Sequence, residues 1–431
     1  MAVDDLISQL SGQGNEARKE AFQRLPQIGE PAVAPLVATL LDEQSPVDWS
    51  DAGVILRKIG RPAFQPLVDA IVIAPTPETR RRCAWAFMGF GADLIDLYAQ
   101  ALSHENPRVR EEAALGVQYC GEAGLPALPA LLPLLADPDG EVKQRAIWAM
   151  AQLGEGALPM LQQIRTSGPG HLRRGALQAI AEVAGEKALS DADRAAMERL
   201  IRIKLTHEGA EPVEGCGTCG MWLALPTGDQ AAILEALDLS DPRPATMTLG
   251  FAAFYCDNHG LANDNQRMGR VFITPRLDGW TLVMGPWKAR WDGDWAETVQ
   301  ACRELSERFG KAQCYWYDAQ TASGAWVICE GGELVRAYDQ YERSNEAGPR
   351  LPVEERKILS YEEEEDADDL GGDIEDDLED DGRYCDALMV ASAMSVSPDA
   401  IGTHTEVHGH GVLALTRYGR EHGVPNGALP I

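Results

Sequence analysis

The chain has 431 residues, 45% of them apolar, and a formal net charge of −29, a length that suits two or three domains rather than one ordinary core. It contains no apolar run of about 18 residues, and Met1-Ala2-Val3-Asp4-Asp5 is no signal peptide, so a cytoplasmic protein is expected and a membrane partner is not. The acidity argues against polyanionic partners, and the odd count of nine cysteines reads as reduced thiols.

The first half is repetitive. Glycines recur at Gly29, Gly60, Gly91, Gly121, Gly154 and Gly185. Before them runs one apolar stripe: Val109, Ala113, Val117 and Cys120 match Val142, Ala146, Met150 and Leu153, and Leu172, Ala176, Ile180 and Val183 repeat it. This is the buried side of an amphipathic helix, stopped by a residue that takes a left-handed cap without steric cost. A second helix follows each glycine, with proline in or near its first turn (Pro31, Pro62, Pro126, Pro159). Neither helix buries its stripe alone, so the pairs must stack into an α-solenoid.

On these residues the chain resembles the HEAT-like repeat family, in the short bacterial form of the phycobilin lyases, over about residues 5–205. The resemblance implies a protein-binding scaffold that grips its partner on a concave face. Basic residues open most first helices: Arg18-Lys19, Arg57-Lys58, Arg80 to Arg82, Arg108 and Arg110, Lys143 and Arg145, Arg173-Arg174. They read either as a phosphate-binding ridge or as a ladder pairing with acids of the neighbouring turn. With 21 basic and 26 acidic residues through position 205, the array is not a basic surface, and nucleic acid is not the expected partner.

The domain reading places the solenoid at 1–205, a linker at 206–215, an α+β domain with a mostly antiparallel sheet at 216–360, an acidic disordered linker at 361–382, and a small helical or extended segment at 383–431. In the α+β part, Asp229 to Leu237 and Trp295 to Phe309 read as helices. Thr246 to Tyr255 reads as a strand, Arg270 to Thr274 with Trp280 to Met284 as a hairpin, and Gln313 to Tyr317, Ala325 to Glu330 and Leu334 to Tyr338 as strands. The fourteen acids and no base between Glu362 and Asp381 self-repel and cannot be buried. Tyr384 to Ser395 reads as helical, and Thr405 to Thr416 as strand or loop. The phrases from Trp222 to Leu237, Gly269 to Gly285 and His408 to Ile431 resemble a mainly actinobacterial family to which no activity is attached.

The best chemical signal is Cys216-Gly217-Thr218-Cys219 with Cys256-Asp257-Asn258-His259. Three thiolates and an imidazole make a closed tetrahedral shell for one structural zinc; the competing reading is ordinary thiols with His259 at a surface turn. His404, His408 and His410 read as exposed tail histidines rather than ligands. Trp287, Trp291 and Trp295 share a helical spacing, though Pro286 and Gly293 interrupt it, and core packing is their default. No nucleophile elbow, phosphate loop or dinucleotide fingerprint occurs. The leading expectation is therefore a non-catalytic scaffold or adaptor for a protein partner. One alternative is an acidic immunity or inhibitor protein that neutralises a basic toxin or nuclease. The other is an enzyme whose site lies between the two halves.

Overall fold

A computed structural model describes residues 3–11, 15–209, 219–259, 263–287, 295–355, 357, 359 and 384–430. The chain divides into two compact units, Met1–Leu189 with Asn426–Ala428, and Ser190–Pro425 with Leu429–Ile431. The acidic run from Glu362 to Asp381 lies outside the described residues.

The first unit is a stack of helix pairs: α1 (Val3–Leu10), α2 (Asn15–Ile28), α3 (Val33–Leu41), α4 (Trp49–Ile59), α5 (Arg61–Ile73), α6 (Pro77–Phe87), α7 (Ile95–Ala101), α8 (Pro107–Tyr119), α9 (Leu128–Leu131), α10 (Gly140–Gln152), α11 (Leu158–Ser167) and α12 (Arg173–Ala184). Local chemistry sets the starts. The Asp139 carboxylate accepts the Glu141 and Val142 N–H groups at the head of α10, and the Asn106 side chain does the same for Arg108 at α8. At the ends, the six repeating glycines all have positive φ, between 55° and 80°, so a side chain there would be strained. The predicted stripe is the core: Val109, Ala113, Val117, Ala146 and Met150 are fully buried. First helices pack side by side, α4 on α6, α8 on α10 and α10 on α12.

The second unit opens with α13 (Asp191–Leu205), which packs on the edge strand of the sheet described next. It holds β1 (Gly220–Leu225), α14 (Gln230–Ala236), β2 (Ser240–Ala245), α15 (Met247–His259), α16 (Asp264–Arg267), β3 (Arg270–Ile273), β4 (Arg276–Leu277), β5 (Thr281–Met284), α17 (Trp295–Phe309), β6 (Lys311–Asp318), β7 (Ser323–Glu330), β8 (Glu333–Asp339), β9 (Val407–His408) and β10 (Gly411–Leu415). Eight strands form one sheet in the order β2-β10-β3-β5-β1-β6-β7-β8, with β4 and β9 as a separate pair. Every strand pairing among the described residues is antiparallel.

Both faces are covered. Trp222, Phe272, Met284, Tyr315, Trp326 and Tyr338 face α15 and the helix Ala387–Met394. Met221, Leu223, Val283, Cys314, Val327 and Cys329 face α14 and α17. Strands buried on both sides carry near-continuous apolar runs, as β1 and β5 do. Edge strand β2 contains Pro242 and Pro244, residues that cannot donate to a ladder and are confined to edges. At the far edge, the main chain of Ala347 bridges Ala337 of β8.

One expectation is corrected: the segment Thr246 to Tyr255 is not a strand but most of α15. Its residues are apolar almost all round, so neither period stands out, and aromatics bias the reading towards a strand. Burial of Met247, Gly250, Ala253, Phe254 and Asp257 marks the helical stripe. The Thr246 hydroxyl accepts the Leu249 N–H at 3.0 Å, and the Glu208 carboxylate accepts that of Met247. Gly250 lets the helix lie against Phe272, since a Cβ there would fall 2.2 Å from the ring. Strand β10, left between strand and loop, is a central member of the sheet between β2 and β3.

Candidate functional site

In the solenoid, two equivalent positions per repeat flank the third core residue of each first helix. Two residues before Phe87, Val117, Met150 and Ile180 stand Trp85, Leu115, Trp148 and Gln178; two residues after stand Gly89, Tyr119, Gln152 and Glu182. These lie off the buried stripe, and Tyr119 and Trp148 are 69% and 40% exposed. Trp85, Leu115 and Trp148 make a row at one of the two positions and Tyr119 stands at the other, so the exposed Tyr119 and Trp148 lie on either side of the stripe on the neighbouring helices α8 and α10.

Arginines cover the row. The Arg57 guanidinium lies 3.8 Å from the Trp85 ring centroid and donates to the Trp85 and Ala86 carbonyls. Trp85 in turn sits edge-on to Trp49 at 5.2 Å, in a notch that a Cβ on Gly53 would fill. Arg81 lies over Trp49 and Arg145 over Trp148, at 4.9 and 5.1 Å. Such contacts fix the rings while leaving an edge to solvent. Beside them, burial pushes the Glu112 carboxyl up to about 7, helped by the Glu111 charge and opposed by Arg145. One Glu112 oxygen is buried without a hydrogen-bond partner.

The other basic residues of the first helices are largely engaged. Arg18 bonds Asp51 at 2.9 Å, and Arg110 holds Asp137 in a bidentate pair at 2.8 Å while donating to the His104 and Glu105 carbonyls. Arg82 and Arg81 share Glu78. Arg18 and Arg110 thus pair with acids of the neighbouring unit, as in the ladder reading, whereas Arg81 and Arg82 pair within their own helix.

In the second unit the cysteine–histidine quartet is partly placed. Cys219 immediately precedes β1, is buried, and its sulfur accepts the Ala319 N–H at 3.3 Å. Cys256 and His259 lie one turn apart on α15, with the His259 ring 4.5 Å from that of Tyr255. A Cβ on Gly220 would meet the Asn258 amide at 2.8 Å, so the start of β1 and the last turn of α15 are neighbours. Cys216 lies outside the described residues. Among the described residues no group of three or more His, Cys, Asp or Glu is arranged to hold a metal ion. Three thiols and an imidazole suit zinc chemically, but the described members Cys219, Cys256 and His259 do not form such a group.

Next to the quartet is a cavity of about 310 Å³, lined by Gly220, Met221, Asn258, Arg267, Pro286 and Trp316, with Asp257 at its wall. Asp257 is buried, with its carboxyl pushed up to about 6 by that burial despite a bidentate pair to Arg270 at 2.7 and 2.8 Å. The pair fastens α15 to β3.

The remaining candidates separate. His404, His408 and His410 are exposed, and His408 meets Glu406 at 2.8 Å. Trp287 is buried and Trp295 half-buried; Trp291 lies outside the described residues. Sequence reasoning missed the outward row. Its signal was present, because Trp148 falls between the core positions Ala146 and Met150 and so cannot share their face.

Residues 116–181 match a family described as HEAT repeats. No curated protein matches the chain. Among solved structures, an engineered protein is 20% identical, covering 42% of this chain and 97% of its own, with a TM-score of 0.21. A computationally designed armadillo repeat protein for modular peptide recognition is also 20% identical, over 42% of this chain and 99% of its own, TM-score 0.21. The complex of CpcE and CpcF of phycocyanin lyase from Nostoc sp. PCC7120 is 22% identical, over 48% and 89%, TM-score 0.21. The repeat half of this chain is an α-solenoid of helix pairs whose residues 116–181 match HEAT repeats, followed by the α+β unit.

Proposed function

We propose that the chain is a non-catalytic scaffold that holds a protein partner on the outward row of its first helices. The observation that carries this is the set Trp85, Leu115 and Trp148, in register on three first helices, with Tyr119 beside them at the second position, all of them outside the buried stripe. Aromatic residues flanked by arginine are the composition of interface hot spots. Helix pairs that bury their stripes in one another leave such a row free for binding.

The test is crosslinking of the full chain in cell extract, followed by identification of the crosslinked positions. Partner crosslinks should fall beside Tyr119 and Trp148, and Trp148→Ala with Tyr119→Ala should remove them while the melting temperature holds. Crosslinks confined to the α+β unit and indifferent to both substitutions would refute the reading.

The inhibitor alternative rests on the acidity outside the run from Glu362 to Asp381, since the net charge of −29 less its fourteen acids leaves −15, a feature that speeds capture of a cationic partner. A basic toxin or nuclease recovered in the same experiment would convert the scaffold into that narrower role.

A further inference from the structure

We infer that the C-terminal end of α12 is a receptor for an extended chain segment, and that residues 426–428 are its built-in occupant. This rests on the scaffold reading and deepens it: a partner's extended segment takes the same place by displacing the chain's own.

The site is built from three parts. Because α12 stops at Ala184, its last carbonyls lack intrahelical donors. One of them, that of Val183, accepts the Asn426 side-chain N–H at 3.2 Å. One residue earlier, the Glu182 carboxylate accepts the main-chain N–H of Ala428 at 3.0 Å. Between these anchors Gly185 sits at φ +66°, and a Cβ there would lie 2.6 Å from the Asn426 side-chain oxygen. Gly185 therefore serves both as helix stop and as clearance for the segment.

What is read follows from these donors and acceptors. A helix-end carbonyl selects a carboxamide, and a carboxylate selects a main-chain N–H two residues later. The occupant, Asn426-Gly427-Ala428, is small throughout. Burial raises the Glu182 carboxyl and the Ala428 N–H pulls it back, so this acid is better satisfied with a donor seated than without one. The segment runs in no regular secondary structure, which leaves its backbone N–H groups available for such contacts.

The anchor also has a direction. Glu182 occupies the position that is Gln152 in α10 and Tyr119 in α8. Packed helices lie about 8–10 Å apart, close to three residues of extended chain. A partner segment that is seated at Glu182 and continues across α10 and α8 would meet the carboxamide of Gln152 and then Tyr119, with Trp148 and Leu115 alongside. The partner chemistry this fits is an extended stretch with a carboxamide at the α12 end, small residues next to it, and apolar side chains about three residues apart.

The experiment uses a fluorescein-labelled peptide of residues 422–431, read by anisotropy against the full chain and a chain ending after Pro425. The shortened chain should bind the peptide saturably, and the full chain at least tenfold more weakly. In the shortened chain Glu182→Ala should abolish binding, whereas Glu182→Gln should keep most of it, since an amide oxygen still accepts. Should the shortened chain fail to fold, full-length Ala428→Pro removes the same N–H and should open the site to the peptide. No binding to a folded shortened chain, or equal binding to both chains, overturns the inference. If Trp148→Ala still removes the partner crosslinks in that event, the scaffold reading stands and the receptor alone fails.

Discussion

Replacing Glu354 by alanine should unfold the α+β unit at a much lower temperature. Glu354 and Arg336 are both fully buried. The carboxylate accepts Arg336 Nε at 2.9 Å, Trp326 Nε1 at 2.7 Å and the Leu351 N–H at 2.6 Å. Arg336 further donates to the Gly348 carbonyl at 3.2 Å and pairs with Glu346 at 2.9 Å. Alanine would leave the guanidinium with only the partly exposed Glu346 as counter-charge, and two buried N–H donors without acceptors. Removing one member of a buried pair costs about 3–5 kcal/mol. Each stranded donor adds about 1–3 kcal/mol where the site cannot relax or admit water. Relaxation shares these terms, so a loss of about 4 kcal/mol is expected, which is about 8–16 °C in a unit of this size. The assay is urea and thermal unfolding followed by tryptophan fluorescence, which reports Trp222 and Trp326 in this unit's core. Glu354→Gln keeps a single acceptor oxygen, enough for Trp326 or Leu351 but not for both, which bond different oxygens of the carboxylate, and should lose less than alanine. The double change Arg336→Met with Glu354→Leu should recover the part of the loss that comes from the unpaired charge, because an apolar pair replaces the ions, while Trp326 Nε1 and the Leu351 N–H stay without the carboxylate oxygens they bond. A single-mutant loss below about 1 kcal/mol, or a double mutant no better than the single, would refute the reasoning.

Three further outcomes are expected. The Glu112 carboxyl is raised to about 7 in the fold against an ordinary value near 4.5, so the folded state holds the proton more tightly and stability falls as pH rises between those values; Glu112→Gln should melt higher than the wild type at pH 8 and match it at pH 4, and a constant gap across that range would count against the shift. Metal analysis of untagged protein and of Cys219→Ser decides the cysteine–histidine quartet: because Cys219, Cys256 and His259 are not grouped among the described residues, metal-free protein with plain thiols is expected, and one zinc per chain, lost in the variant together with a lower melting temperature, would overturn this. Gly116→Ala would set a Cβ 2.1 Å from the Tyr98 ring, and such overpacking costs about 1–3 kcal/mol; an unchanged denaturation midpoint would mean that α7 and α8 move apart freely.

The solenoid was legible because a helix pair encodes itself locally. Val109, Ala113 and Val117 repeat as Val142, Ala146 and Met150, and a glycine closes each helix, so register could be read without any long-range contact. In the α+β unit, short apolar runs between turn residues made the strands β3, β5, β6, β7 and β8 legible, but a helix was legible only where it has one wet face. α17 shows such a face and was read correctly, whereas α15 is covered on several sides and lost its period. β2 hid behind two prolines, which edge strands tolerate. The outward row needed the register of three repeats at once, and the α12 receptor could not be read at all, because Glu182 and Ala428 meet across more than two hundred residues of chain.

The place of β10 bears on how the chain comes to be folded during synthesis. Its partners β2 and β3 are made early, yet Gly411–Leu415 is inserted between them about 140 residues after β3. At ribosomal rates of about 5–20 residues per second, the gap lasts roughly 7–30 s. The helix pairs, whose contacts are nearly all between neighbours, can form meanwhile. Throughout that interval β3 presents an unpaired apolar edge, and the two prolines of β2 make that strand a poor substitute for the missing one. Message truncation or premature release before Leu415 would thus yield a chain with a finished solenoid and an open, adhesive sheet, the species against which quality control would have to act.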